Sequence, residues 1–158
     1  MFGTVKSLWQ QVSHRGARPP APSAPLRVLI VDDEEGIRAF VSRVVGAAGF
    51  EIAIASDAAE ALAIASTRSF DLLLTDLMMP RMYGNELARL LRLQSPGLRV
   101  LYLTGNSDLL FAKQMILLDG EAFLDKPCTK SALLEAVSLA ATDRTAGGTP
   151  SSSGVSPR

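Results

Sequence analysis

FDLLLTDLMMP, residues 70–80, is an apolar run that stops on a carboxylate, Asp76, before two methionines and a proline. LRVLIVDDEE, residues 26–35, stops the same way, on Asp32, Asp33, Glu34 and Glu35. Short apolar runs bounded by turn-forming residues read as strands buried on both faces. A turn residue accounts for one acid at a strand end. Two strands ending on acid ask for a further reason.

Working outward from these runs, strand-like and helix-like segments alternate. Strands are expected at 26–31, 50–55, 71–75, 98–103 and 121–124, and helices at 34–48, 57–67, 84–94, 107–118 and 130–141. The first helix carries Ile37, Phe40, Val41, Val44, Val45 and Ala48 on one face, a period near 3.6. Asp57, with Glu60 three residues on, forms a capping box with aspartate in the capping role. Strict βαβα alternation implies a parallel sheet with right-handed crossovers. The fold class is α/β: a doubly wound, five-stranded (βα)5 sheet.

The chain has 158 residues, 47% of them hydrophobic, enough for one core. Its net charge is zero, but all 16 acids fall between residues 26 and 143 against 11 bases, a balance of −5 there. An acidic domain with small basic ends argues against nucleic acid as a partner. The lone cysteine, Cys128, excludes an internal disulfide, and no Cys/His cluster offers a zinc site. No apolar run is long enough for a membrane span, and Lys6, Gln10, Gln11 and His14 interrupt any signal-peptide core, so a cytoplasmic location is expected. Residues 1–25 end in a Pro/Ala-rich linker and residues 143–158 are rich in Gly, Ser and Pro; both are expected to be disordered around a domain spanning 26–142. Within the leader, Phe2, Val5, Trp9 and Val12 fall at helical spacing, and a short amphipathic anchor is the alternative reading.

In an open parallel sheet, ligands bind beyond the carboxyl ends of the strands. Asp32 and Asp33 follow the first strand and Asp76 ends the third. With those strands as neighbours, three carboxylates converge, and like charges at short range oppose ionisation unless a cation is bound. Oxygen-only donors suit Mg²⁺. Thr104 follows the fourth strand and Lys126 the fifth, adding a hydroxyl and an ammonium at the same edge. Carboxylates, metal, hydroxyl and ammonium around one aspartate make a phosphoryl-transfer site, with Asp76 as nucleophile. Each part also has a plainer reading: Asp-Asp-Glu-Glu suits any helix N-terminus, and Lys126-Pro127 suits any loop. The shared register across four strand ends carries the argument.

Residues 26–142 resemble the receiver domain of two-component response regulators. VLIVDDEEGIR, DLLLTDLMMPRMYGNELARLLR, VLYLTG and AFLDKP match that family's motifs in order and spacing. The resemblance supplies the flavodoxin-like topology, with strand order 2-1-3-4-5. It implies that Asp76 accepts a phosphoryl group from a phosphohistidine of a sensor histidine kinase or histidine phosphotransfer protein. It further implies that Asp33, Asp76 and the Met78 backbone carbonyl hold Mg²⁺, with Asp32 acting through a water. Lys126 would pair with phosphoryl oxygens before a candidate cis bond to Pro127, and Thr104 would turn to hydrogen-bond the group. Phe123 would change rotamer with Thr104, carrying the signal to the face of the fourth helix, fifth strand and fifth helix.

Several positions depart from the family's pattern. Phe123 lacks a phenolic hydroxyl, and Tyr83 and Cys128 are less usual choices. Met78 and Asn106 occupy variable positions where access of hydrolytic water is tuned, and a bulky Met78 implies a long-lived phosphoryl state.

The only histidine, His14, lies in the leader, and no ATP-binding Gly-rich loop occurs, so the donor is expected to be another protein. Nothing after residue 142 is long or apolar enough for a DNA-binding unit, so output through protein–protein contact is expected. In SDLLFAKQMILLDG, Phe111, Met115 and Leu118 form a stripe that covers the sheet; Leu109 and Ile116 form another opposite it, with Leu110 and Leu117 between. A surface helix needs one apolar face. The excess marks a docking site for a downstream protein or a second copy in a homodimer, unless these side chains tuck under neighbouring elements. The competing functions are an unphosphorylated receiver-like scaffold and an aspartate-dependent phosphohydrolase. The intact acid–threonine–lysine set opposes the first. The second wants an acid two residues after the nucleophile, where Met78 stands.

Overall fold

The computed structural model describes residues 24–105 and 117–145. Five strands, β1 (Arg27–Val31), β2 (Glu51–Ala55), β3 (Leu72–Thr75), β4 (Arg99–Thr104) and β5 (Glu121–Asp125), pair in parallel in the order β2-β1-β3-β4-β5. Among the described residues the helices are α1 (Glu35–Ala47), α2 (Ala58–Ala65), α3 (Gly84–Gln94) and α4 (Lys130–Thr145). Each strand lies within about one residue of its expectation. The expected helix over 107–118 falls outside the described residues as far as Ile116, and Leu117 and Leu118, its last two positions, are not helical.

Alternation along the strands sends successive side chains to opposite faces. Leu29, Val31, Leu73 and Tyr102 pack on one face with Ala58 and Ala61 of α2 and Leu87 and Leu91 of α3. Val28, Ile30, Leu72, Leu74, Leu101 and Leu103 pack on the other with Val41, Val44 and Val45 of α1 and Leu133 and Val137 of α4. With both faces covered, the three central strands need apolar residues throughout, which is why FDLLLT reads as a continuous run. β2 lies at one edge, and its Ile54 is exposed.

Two expectations need correction. Leu118 was expected to cover the sheet, yet it is 60% exposed. It belongs to the turn leading into β5, where its N–H donates to the Glu121 carboxylate at 2.9 Å, so the backbone holds it and not its side chain. The capping box at α2 is half as drawn. Asp57 accepts the Glu60 N–H at 2.7 Å, but Glu60 reaches past Asp57 and accepts from the Ser56 N–H at 3.0 Å and hydroxyl at 2.7 Å.

Candidate functional site

The site stands where β1, β3, β4 and β5 end. The register pairs Val31 with Thr75, Thr75 with Tyr102 and Thr104 with Asp125, so the residues that follow emerge on one sheet edge. Asp32 follows β1 and is 2% exposed; Asp76 follows β3 and is 7% exposed; Thr104, the last residue of β4, is fully buried. Main-chain bonds lock these ends together. The Asp76 N–H donates to the Val31 carbonyl at 3.0 Å, and the Lys126 N–H to the Thr104 carbonyl at 2.9 Å. The Lys126–Pro127 peptide is cis.

Lys126 Nζ sits among the acids, 2.7 Å from Asp32 Oδ2, 3.3 Å from Asp76 Oδ2 and 3.8 Å from Glu34 Oε1. Asp32 Oδ1 accepts the Glu34 N–H at 2.9 Å, and Asp76 Oδ1 accepts the Met78 N–H at 3.2 Å. Asp33 is exposed at the rim. One oxygen from each of Asp32, Asp33, Glu34 and Asp76 lies within 4.8 Å of the others. Four carboxylates around one ammonium leave excess negative charge, and oxygen-only donors fit a hard divalent cation.

Burial dominates the titration of Asp76. Desolvation raises its carboxyl above the ordinary value, and the nearby Asp32 charge adds to this; the Lys126 ammonium and the Met78 N–H oppose it without cancelling it. For Lys126, burial alone favours the neutral amine, but the hydrogen bond and charge of Asp32, followed by those of Asp76, outweigh it. The net shift is upward, and the ammonium persists through neutral pH.

Phe123 is half-buried on β5, in register with Tyr102, and packs against the core face that holds Tyr102. Leu117 is 36% exposed. Leu109, Leu110, Ile116 and Asn106 lie outside the described residues. Three residues near the site were not singled out from sequence. Glu34 read as part of a helix N-terminus, although its position in an acid run was a signal. Arg38, whose Nη1 donates to the Asp32 carbonyl at 2.7 Å, left no sequence signal of that contact. Gly84 opens α3 because any Cβ there would overlap the Asp76 carbonyl oxygen.

The model of the response regulator receiver domain matches residues 28–138. The chain belongs to this family. Response regulator MprA of Mycobacterium sp. (strain KMS) is 33% identical over 112 residues, which is 70% of this chain and 48% of that protein. The receiver thus spans about half the length of such curated relatives. The crystal structure of Vibrio cholerae chemotaxis protein CheY4 at low pH is 33% identical with a TM-score of 0.64, covering 74% of this chain and 99% of that one. A CheY-like receiver domain protein from Methanospirillum hungatei JF-1 is 29% identical with a TM-score of 0.68, covering 79% of this chain and all of that one. As a receiver domain of the two-component response regulators, the chain is a signalling module. No helix among its described residues is long and apolar enough to cross a membrane.

Proposed function

We propose that this receiver is switched by a phosphoryl group on Asp76, delivered from a phosphohistidine of a sensor histidine kinase or histidine phosphotransfer protein. A carboxylate oxygen of Asp76 attacks phosphorus, the P–N bond breaks, and its electron pair leaves on the imidazole, which takes a proton from solvent. The observation that carries this reading is the convergence of Asp32 and Asp76 on one ammonium, with Lys126 Nζ 2.7 Å from the first and 3.3 Å from the second.

Lys126 holds the nucleophile now and would turn to the phosphoryl oxygens once the carboxylate charge moves onto them. Thr104, buried at the end of β4, supplies the hydroxyl for a third oxygen, and Phe123 follows its movement. Asp33, Asp76 and the Met78 carbonyl would hold Mg²⁺, with Asp32 acting through a water. When bound, the ion supplies the positive charge that an incoming phosphoryl group requires. Met78, half-buried beside the nucleophile, shields the acyl phosphate from water. The receiver modifies itself and is not a turnover enzyme. Its signal leaves a domain spanning 26–142 by contact with a downstream protein or a second copy, on a surface that includes Leu109, Leu110, Ile116 and Leu117. Its setting is the cytoplasm.

Incubation with a small acyl phosphate and Mg²⁺, followed by mass spectrometry, tests the reading. One phosphoryl group is expected on Asp76, lost with chelator and lost in Asp76→Asn. An unlabelled wild-type chain, or label on another residue, would sink it.

A further inference from the structure

We propose that Arg38 is a positioning residue for the cation site: it fixes the peptide between Asp32 and Asp33 and so aims the Asp33 carboxylate. This rests on the reading above that these acids hold Mg²⁺. Arg38 lies on α1, half-buried, and its Nη1 donates to the main-chain carbonyl of Asp32 at 2.7 Å. That is a short, charge-assisted hydrogen bond.

The neighbouring contacts show what this bond adds. The Asp32 N–H reaches the Ala55 carbonyl at 3.3 Å, Oδ1 takes the Glu34 N–H at 2.9 Å and Oδ2 takes Lys126 at 2.7 Å. These hold the peptide before Asp32, the Asp32 side chain and, through the Glu34 N–H, the peptide that follows Asp33. The guanidinium bond acts on the 32–33 peptide itself, one step beyond the end of β1. Asp33 is exposed, so close packing does not hold its carboxylate, and the direction of its main chain decides where that carboxylate points. Rotation of one peptide plane would swing it away from Asp76.

A second role for the guanidinium is possible on charge alone, and the two roles differ in sign. A cation beside a cation site repels the incoming ion, so removing a charge that acts only as a charge tightens Mg²⁺ binding. Removing a group that orients a ligand weakens it, by about ten- to a hundredfold at typical metal sites. Short contact and exposed ligand together favour orientation.

The test is calorimetric titration of Mg²⁺ into the full chain for wild type, Arg38→Met, Arg38→Lys and Asp33→Asn, with thermal unfolding of each in chelator. Arg38→Met is expected to raise the dissociation constant about tenfold. Arg38→Lys, which keeps a cationic donor on a shorter stem, should fall between the two at about threefold. An unchanged or lowered constant in folded Arg38→Met overturns the proposal, including the case where only its unfolding temperature falls. If Arg38→Met does not fold, Arg38→Lys decides, and an unchanged constant there overturns it equally. A wild type that binds no Mg²⁺, or an Asp33→Asn variant that binds as tightly, removes the underlying site reading and this inference with it. A wild type that binds while Arg38 proves inert removes the inference alone.

Discussion

At the residue scale, the Asp76 carboxylate is held against the preference of the fold. Asp76 is a carboxylate at 7% exposure, and desolvation lifts its pKa despite the ammonium beside it. A carboxyl whose folded pKa stands above its unfolded one binds its proton more readily when folded. Stability therefore rises as pH falls through the interval between the two, and ionisation costs stability at neutral pH. Asp76→Asn removes that cost while Lys126 keeps Asp32 at 2.7 Å. In chelator at neutral pH the variant should unfold at a higher temperature than wild type. Its advantage should shrink as pH falls toward the ordinary carboxylate range of about 4. A variant that unfolds at the same or lower temperature at neutral pH would show that the ion pair outweighs burial. Strand-end acids, Thr104 and Lys126 were legible because their types and positions are local facts of the sequence. Arg38 was not, because its contact depends on how a loop closes over its own helix, and Glu34 had only its place in an acid run to mark it.

At the element scale, the β3–α3 connection sets where Asp76 lies. Arg81 within it has φ 71, a left-handed conformation that a non-glycine residue adopts at a cost. The Gly84 N–H then donates to the Leu77 carbonyl at 2.8 Å, folding the start of α3 back against the main chain of Asp76. Helix propensity alone predicts that Gly84→Ala stabilises α3 by about 1 kcal/mol. The clash of its Cβ with the main chain of Asp76 opposes this, and overpacking of a buried position costs about 1–3 kcal/mol. Backbone cannot rotate aside as a side chain can, so the clash should win. Chemical denaturation should show net loss of stability, and acyl-phosphate labelling should slow because Asp76 is displaced. An alanine variant of full stability and normal labelling would refute the close approach. Alternation of strand-like and helix-like segments was sufficient to place α3 at 84–94, but the steric demand on its first residue depends on a partner eight residues away across a turn. The Asp57 cap was legible as a pair. The redirection of Glu60 to Ser56 was not, since either N–H satisfies the same motif.

At the scale of the whole molecule, alternation of apolar runs implied the doubly wound architecture, but strand order came from family likeness, since spacing alone does not rank which strands touch. A half-buried network then joins parts that the sequence keeps far apart. The Glu121 carboxylate on β5 takes Arg92 of α3 at 2.7 Å, the Tyr102 hydroxyl of β4 at 3.1 Å and the Leu118 N–H at 2.9 Å. Burial, followed by the charge of Glu121, raises the Tyr102 phenol far above its ordinary range, so this hydroxyl stays a donor at any physiological pH. Every buried hydrophobic side chain among the described residues lies between Val28 and Val137, and both layers of the core close within that span. The unfolding free energy should therefore reside there. A fragment of residues 26–145, which keeps α4 whole, is expected to unfold in urea in one cooperative transition, with the same midpoint and slope as the full chain, because the slope follows the surface exposed on unfolding. It should also take label from a small acyl phosphate at the full-chain rate. A lower midpoint at equal slope would mean that residues outside 26–145 add stabilising contacts to the folded domain, and a shallower slope would mean that they unfold with it as part of one structure.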